Sequence, residues 1–468
     1  MRIAITYNRI IHTGSDFMKL RNLIIETLKE EVIPAMGCTE PVAVALACAK
    51  AKELITFNYI ESAEIFVSPN IYKNGLSVGI PNTQEVGLFI AAALGFIAGK
   101  SEKDLSVLEG INERQVQLAK ELLKSGKVSL DIKDTEDKIY IEVNLVTDKG
   151  DCTVIISGKH NRFVYIQNQG GVILDLRKAN KKSNVGKNIL YSLKIREIIV
   201  EIEKIPQEDI VFMLEGVVMN EAIAKVGLKQ KLGMGVGYSL KKSIEQGFLS
   251  EDLMTSSMML TAAASDARMS GINLSVMSSN GSGNNGLTAI LPIVAYKNKF
   301  NVDDEKLAKA VAISHIVNSY IKYYIGRLSA LCACGVAAGT GAGVAIAWLM
   351  GASYDQIDGV IKNTIANTSG MICDGAKEGC ALKLSTSASV AVQSAVLAIN
   401  DSIVPSRNGI VAETAEDTIL NLGVLSLKGM SIADGIILKT MKKMQRELGA
   451  VKAHENAKVY VKKQGIIA

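Results

Sequence analysis

Histidine is scarce in this chain: four in 468 residues, His12, His160, His315 and His454. No two stand at metal-ligand spacing, which argues against a zinc centre built on histidine. No dense run of lysine and arginine interleaved with aromatics occurs either, so nucleic acid is not an expected partner. Charge of one sign is not in excess: 52 basic residues face 47 acidic ones, for a formal +5. The opening MRIAITYNRIIHTGSDF lacks the basic, apolar and small-residue regions of a secretory signal. Residues 1–17 therefore read as an extension before a helical pattern that starts at Met18. Residues 335–352, GVAAGTGAGVAIAWLMGA, carry no charge and are about as long as a short membrane span. The run is rich in glycine and alanine, and no second span accompanies it. A helix buried in a protein interior is the expectation; a helical membrane carrier is the remote alternative.

What is present divides by texture. The chain is long for one core, so two domains are expected. Residues 18–58 read as two helices, the first carrying Leu20, Ile24, Leu28 and Val32 at helical spacing. The elbow PAMGCTEP joins them, with Thr39 as N-cap and Pro41 early in the second helix. From 59 to 209 the segments EIFVSP, KVSLDIK, KIYIEVNLVT, CTVIISG and RFVYIQ alternate and are β-branched. Amphipathic stretches at 84–99 and 111–124 interrupt them. From 210 to 468 strand signals fade and helix-length runs follow one another. The fold class is α+β: a mainly helical catalytic domain with a smaller α/β domain inserted. The shared texture assigns the helices of 18–58 to the C-terminal bundle.

The seven cysteines are Cys38, Cys48, Cys152, Cys332, Cys334, Cys373 and Cys380. An odd count without a signal segment points to reduced thiols in the cytoplasm. Cys48, on an apolar helix, and Cys152, in a strand, read as small buried hydrophobes. The other five stand in turns: Cys38 in its elbow, Cys332 and Cys334 in LCACG, Cys373 and Cys380 in ICDGAKEGCALK. Turns flanked by glycine and lysine let several sulfurs converge on an iron–sulfur cluster and stabilise its negative charge. The spacing matches no ferredoxin pattern, so cluster ligands and scattered structural thiols both stay open on spacing alone.

Residues 278–292, SSNGSGNNGLTAILP, set Gly, Ser and Asn before an apolar helical run, an anion-cradling helix start on paper. No lysine follows the last glycine as in a nucleotide loop. A substrate carboxylate fits better, and an ordinary loop is the equal alternative.

Together PAMGCTEP, IGRLSALCACGVAAGTGAG, SSNGSGNNGLTAILP and MICDGAKEGCALK resemble the L-cysteine desulfidase family, relatives of the bacterial iron–sulfur L-serine dehydratases. The resemblance runs over most of the chain from Met18 onward. It implies a [4Fe-4S] cluster held by three cysteines, no PLP, and β-elimination of L-cysteine to pyruvate, ammonia and sulfide. An open iron would act as Lewis acid toward the leaving group. The ligands it implies are Cys38, Cys373 and Cys332, with Cys334 as runner-up to Cys332 and Cys380 as a further candidate. For the general base, His315, Tyr323, Tyr324, Lys377 and Lys383 qualify by type. Asn284, Asn285 and Arg327 are the expected carboxylate-binding residues. L-Serine dehydration by the same site is the nearest alternative, and a homo-oligomer is left open.

Overall fold

The computed structural model describes residues 14–37, 39–81, 83, 85–177, 189–326 and 329–444. Helix α1 (Gly14–Glu31) starts four residues before the expected Met18. Its Leu20, Ile24 and Leu28, with Val32 just past its end, form one buried stripe, as their spacing predicts. A short strand β1 (Pro34–Met36) follows and pairs antiparallel with β8 (Ser275–Met277), which brings the PAMG elbow beside the SSNGSG loop. Helix α2 (Thr39–Glu53) is buried on every side from Val42 to Ala49.

A six-stranded sheet comes next, in the order β3-β2-β4-β5-β6-β7. Its strands are β2 (Ile60–Val67), β3 (Val128–Ile132), β4 (Tyr140–Thr147), β5 (Gly150–Ser157), β6 (Phe163–Asn168) and β7 (Gly171–Asp175). Only β2 and β3 run parallel; the other neighbours are antiparallel. Alternation along β4 turns Ile141, Val143 and Leu145 inward. There they meet α2, α4 (Leu88–Ile97) and the edge of α5 (Glu113–Lys124) in one apolar cluster. Helix α3 (Pro69–Gly75), capped by Ser68, leads from β2 toward the other half. The sequence texture assigns α2 to the bundle, but its buried residues belong to the sheet's core; only α1 packs with the bundle. An all-round apolar helix needs cover on all sides, and the sheet face supplies it.

The second core is helical. Its helices are α6 (Ile195–Glu203), α7 (Met213–Lys229), α8 (Val236–Glu245), α9 (Leu253–Met269), α10 (Gly283–Phe300), α11 (Asp304–Ile325), α12 (Ala333–Leu349), α13 (Tyr354–Thr368), α14 (Cys380–Ile399) and α15 (Ala415–Val424); α16 (Ser431–Met444) closes the described chain. The architecture is α+β, as the sequence implies. Helix α12 lies at the centre, and every residue from Gly335 to Ala347 is buried. Small side chains permit this: a Cβ on Gly341 would fall 2.3 Å from the carbonyl oxygen of Ser314 on α11. This charge-free segment is thus the enclosed core of the bundle. Among the described residues one helix, α14, has the length and apolarity to cross a bilayer, with 56% of its most apolar window buried in the protein.

Candidate functional site

Two cysteine segments meet edge to edge. Leu331 and Ile372 form an isolated antiparallel bridge. The Cys332 N–H donates to the Met371 carbonyl (2.8 Å), and the Cys373 N–H to that of Ala330 (2.7 Å). Cys332 stands at the N-cap of α12, Cys334 lies in its first turn, and Cys380 opens α14. All four cysteines line one cleft.

The SSNGSGNNG loop forms a second wall. Ser282 caps α10 by accepting from the Asn285 N–H, and its hydroxyl lies 3.7 Å from the Cys334 sulfur. Close backbone approach seats the helix: a Cβ on Gly286 would fall 1.9 Å from the Met277 carbonyl oxygen. The first turn therefore holds Asn284 and Asn285 in the cleft wall, both buried. Asn284 accepts from the Arg268 guanidinium (3.0 Å), which also donates to the Gly37 carbonyl (2.6 Å). Asn285, 1% exposed, has no hydrogen-bond partner for either its amide oxygen or its amide nitrogen. Leaving such groups buried and unmatched is costly, so each one calls for an explanation.

The sheet-bearing half supplies the third wall through Asn70, Lys73, Asn74, Ile139 and His160. There the Glu40 carboxylate, at the start of α2, accepts from the Asn74 amide (3.0 Å) and the Thr39 hydroxyl (3.2 Å). Lys322 donates to the Asn280 carbonyl (3.0 Å), and Lys383 to Asp374 (2.5 Å) and the Ile372 carbonyl (2.8 Å). Lys377 pairs with the same Asp374.

These charges decide protonation. Burial would raise the Asp374 carboxyl, but hydrogen bonds from Lys377 and Lys383 hold it down at about 2. Burial would lower Lys383, yet its bond to Asp374 and the neighbouring thiols raise it, so it keeps its proton. Cys334 is brought down by a hydrogen bond from Cys332, against burial and with help from Lys322, Ser282 and Arg268. Its partner Cys332 is driven up by the same bond and by burial. Burial raises Cys373 and, to about 11, Cys380.

Thiols gathered among ammonium and guanidinium groups are the donor chemistry of an iron–sulfur cluster. Among the described residues no three His, Cys, Asp or Glu side chains come close enough to grip a single ion; a cluster, being larger, spreads its ligand sulfurs wider. The residues present fit the group.

Of the residues the sequence singles out, Cys332, Cys373, Cys380, Lys383, Asn284 and Asn285 line this cleft. Cys38 and Arg327 lie outside the described residues. Cys334, the runner-up to Cys332, lines the cleft as well, its sulfur 3.7 Å from the Ser282 hydroxyl. Lys377 does not line the cleft. Nor does His315: its Nδ1 bonds the Ser279 hydroxyl (2.9 Å) behind the loop, and burial pushes its pKa down to about 3. Tyr323 stacks on Tyr191, and Tyr324 donates to the Tyr191 carbonyl, both off the cleft. Sequence reasoning misses Arg268, Lys322, Lys73 and Glu40. Only Glu40 carries a signal, since it stands within the quoted elbow motif.

A family model described as serine dehydratase alpha chain matches residues 102–439. The chain is 64% identical over 428 residues to a UPF0597 protein of Alkaliphilus oremlandii, covering 92% of this chain and all of the relative. It is 54% identical over 426 residues to a UPF0597 protein of Clostridioides difficile, covering 90% and 100%. A UPF0597 protein of Clostridium tetani is 44% identical over 427 residues, covering 91% and 99%.

Proposed function

We propose, from the premise that the chain belongs to the serine dehydratase alpha-chain family, that it is an L-cysteine desulfidase that works without PLP. At the coarser level it is an iron–sulfur serine dehydratase-like protein, a lyase. Asn285 carries the reading: a buried amide without partners faces a cleft walled by four cysteines. A polar group of that kind awaits a ligand with both donor and acceptor character.

Cys332, Cys334, Cys373 and Cys380, with Cys38, form the pool from which a [4Fe-4S] cluster would take its ligands. Bound there, the cluster would supply Lewis acidity toward the sulfur leaving group. The protein's own groups suit an α-amino acid. The Asn285 amide N–H and Arg268 meet its carboxylate, charge-assisted in the case of Arg268, while the Asn285 amide oxygen and Glu40 meet its ammonium. We assign Glu40 as acceptor of the Cα proton. As the Cβ–S bond breaks, its electron pair stays on sulfur. Lys383, which keeps its proton, gives that proton to the leaving sulfide and so acts as acid rather than base. Aminoacrylate then hydrolyses to pyruvate and ammonia. Reduced thiols of this kind suit a reducing compartment, and we place the enzyme in the cytoplasm.

The family description favours a second reading, dehydration of L-serine. Measuring pyruvate and sulfide from L-cysteine, and pyruvate from L-serine, on one anaerobic sample decides between them. A higher kcat/KM for cysteine supports the desulfidase. Pyruvate from serine with no sulfide from cysteine overturns it.

A further inference from the structure

Lys73 stands where three parts of the molecule meet. It belongs to α3, beside the sheet, and its side chain is 2% exposed. Its ammonium donates to the Cys373 carbonyl (3.2 Å) and to the Asp434 carboxylate on α16 (2.5 Å). The backbones are equally close: Gly375 has φ +92°, and a Cβ there would fall 2.2 Å from the Lys73 carbonyl oxygen. Two cavities share Lys73 as a wall. One is the cysteine cleft; the other is bounded by Pro69, Thr135, Leu427, Met430 and Leu438. A buried cation must be paired to be tolerated. Here the pairing is polarised: the compensating carboxylate lies toward α16, and the ammonium lies against the Cys373 segment.

We infer that Lys73 is a positioning residue that ties the sheet-bearing half to the Cys373 segment and sets the local charge there, balanced by Asp434. This rests on the cleft being a cluster site. Cluster reduction potentials follow net charge and nearby hydrogen bonds. Removing the cation disfavours the more negative reduced form and lowers the potential. Removing Asp434 leaves the cation uncompensated and raises it. A strut that only holds shape gives no such opposition of sign.

The test uses the full chain purified anaerobically, as wild type, Lys73→Met, Lys73→Arg and Asp434→Asn. Reduction potential, iron content and amide hydrogen exchange across residues 371–376 are measured. Lys73→Met should show a lower potential, lose about half its iron and exchange roughly five-fold faster at the Cys373 amide. Lys73→Arg should restore these toward wild type, and Asp434→Asn should keep its iron and shift the potential upward. Shifts of the same sign in Lys73→Met and Asp434→Asn, or wild-type potential and exchange in Lys73→Met, overturn the inference. A wild-type chain that binds no iron defeats the cluster reading separately. Exchange in the metal-free protein then still tests the tie, and unchanged exchange in Lys73→Met defeats it.

Discussion

Replacing Asn285 by leucine should make this protein more stable and less active at once. Its amide oxygen and nitrogen are both buried without partners, and each unmatched group costs about 1–3 kcal/mol. Leucine fills nearly the same volume; imperfect shape returns about 1–2 kcal/mol of that gain. The middle of these ranges gives a net stabilisation of about 2–3 kcal/mol. Unfolding entropy near 2.1 cal/mol/K per residue makes this roughly 2–3 °C in Tm for a chain of 468 residues. The measurement is thermal unfolding of metal-free wild type and Asn285→Leu. In turnover, losing a hydrogen bond to a charged substrate group, about 1.5–3 kcal/mol, lowers kcat/KM about 10- to 150-fold. A variant that melts below wild type while turning over normally would refute the reasoning, because Asn285 would then serve the fold.

Among the cysteines, Cys334→Ser should lose iron and visible colour at least as fully as Cys332→Ser, since Cys334 is the thiol drawn toward thiolate; retention of a full cluster in Cys334→Ser counts against it. Cys48→Ala and Cys152→Ala, both remote from the cleft and buried, should keep iron and activity at a cost of about 1–2 kcal/mol. Gly286→Ala forces a Cβ onto the Met277 carbonyl and should cost at least about 3 kcal/mol, read as a lower denaturation midpoint. Burial raises Asp266 to about 6, against the hydrogen bonds it accepts from the backbone N–H groups of Gly237, Val236 and Gly235. Folding therefore favours its protonated form. Its contribution is full below pH 4, lost as pH rises to about 6, and by pH 7 amounts to a deficit of about 2–3 kcal/mol. Asp266→Asn should thus gain stability over wild type between pH 4 and 7; a difference independent of pH would contradict the assignment.

What could be read from the chain in advance follows the kind of signal. Cys373, Cys380, Asn284 and Asn285 stand beside glycines in polar segments, where an unusual local composition marks a turn built for contact. The alternation of β4 and the stripe of α1 declare their faces through period alone. Arg268, Lys322 and Lys73 carry no such mark, because each is one polar residue in an ordinary helix. Only the crossing of α9, α11 and α3 at the cleft turns them to a common point. His315 shows the converse failure. Its residue type advertises acid–base chemistry, yet α11 places it behind the loop, where Ser279 and burial keep it neutral. The placement of α2 was hidden for another reason: an all-apolar helix has no preferred face, so its sequence does not say which core takes it.

The bridge between Leu331 and Ile372 bears on how the centre is assembled. It closes a loop of about 40 residues, and the entropy of that closure is met by α12 and α13 folding back on each other. Small metal domains gather their ligands only when the ion arrives, and so spend binding energy on folding. Here the Cys332 and Cys373 segments are held together by the protein's own backbone hydrogen bonds, to Met371 and Ala330. Two stretches of chain far apart in sequence thereby share one edge, and a backbone shift at Ala330 or Met371 moves Cys332 and Cys373 together.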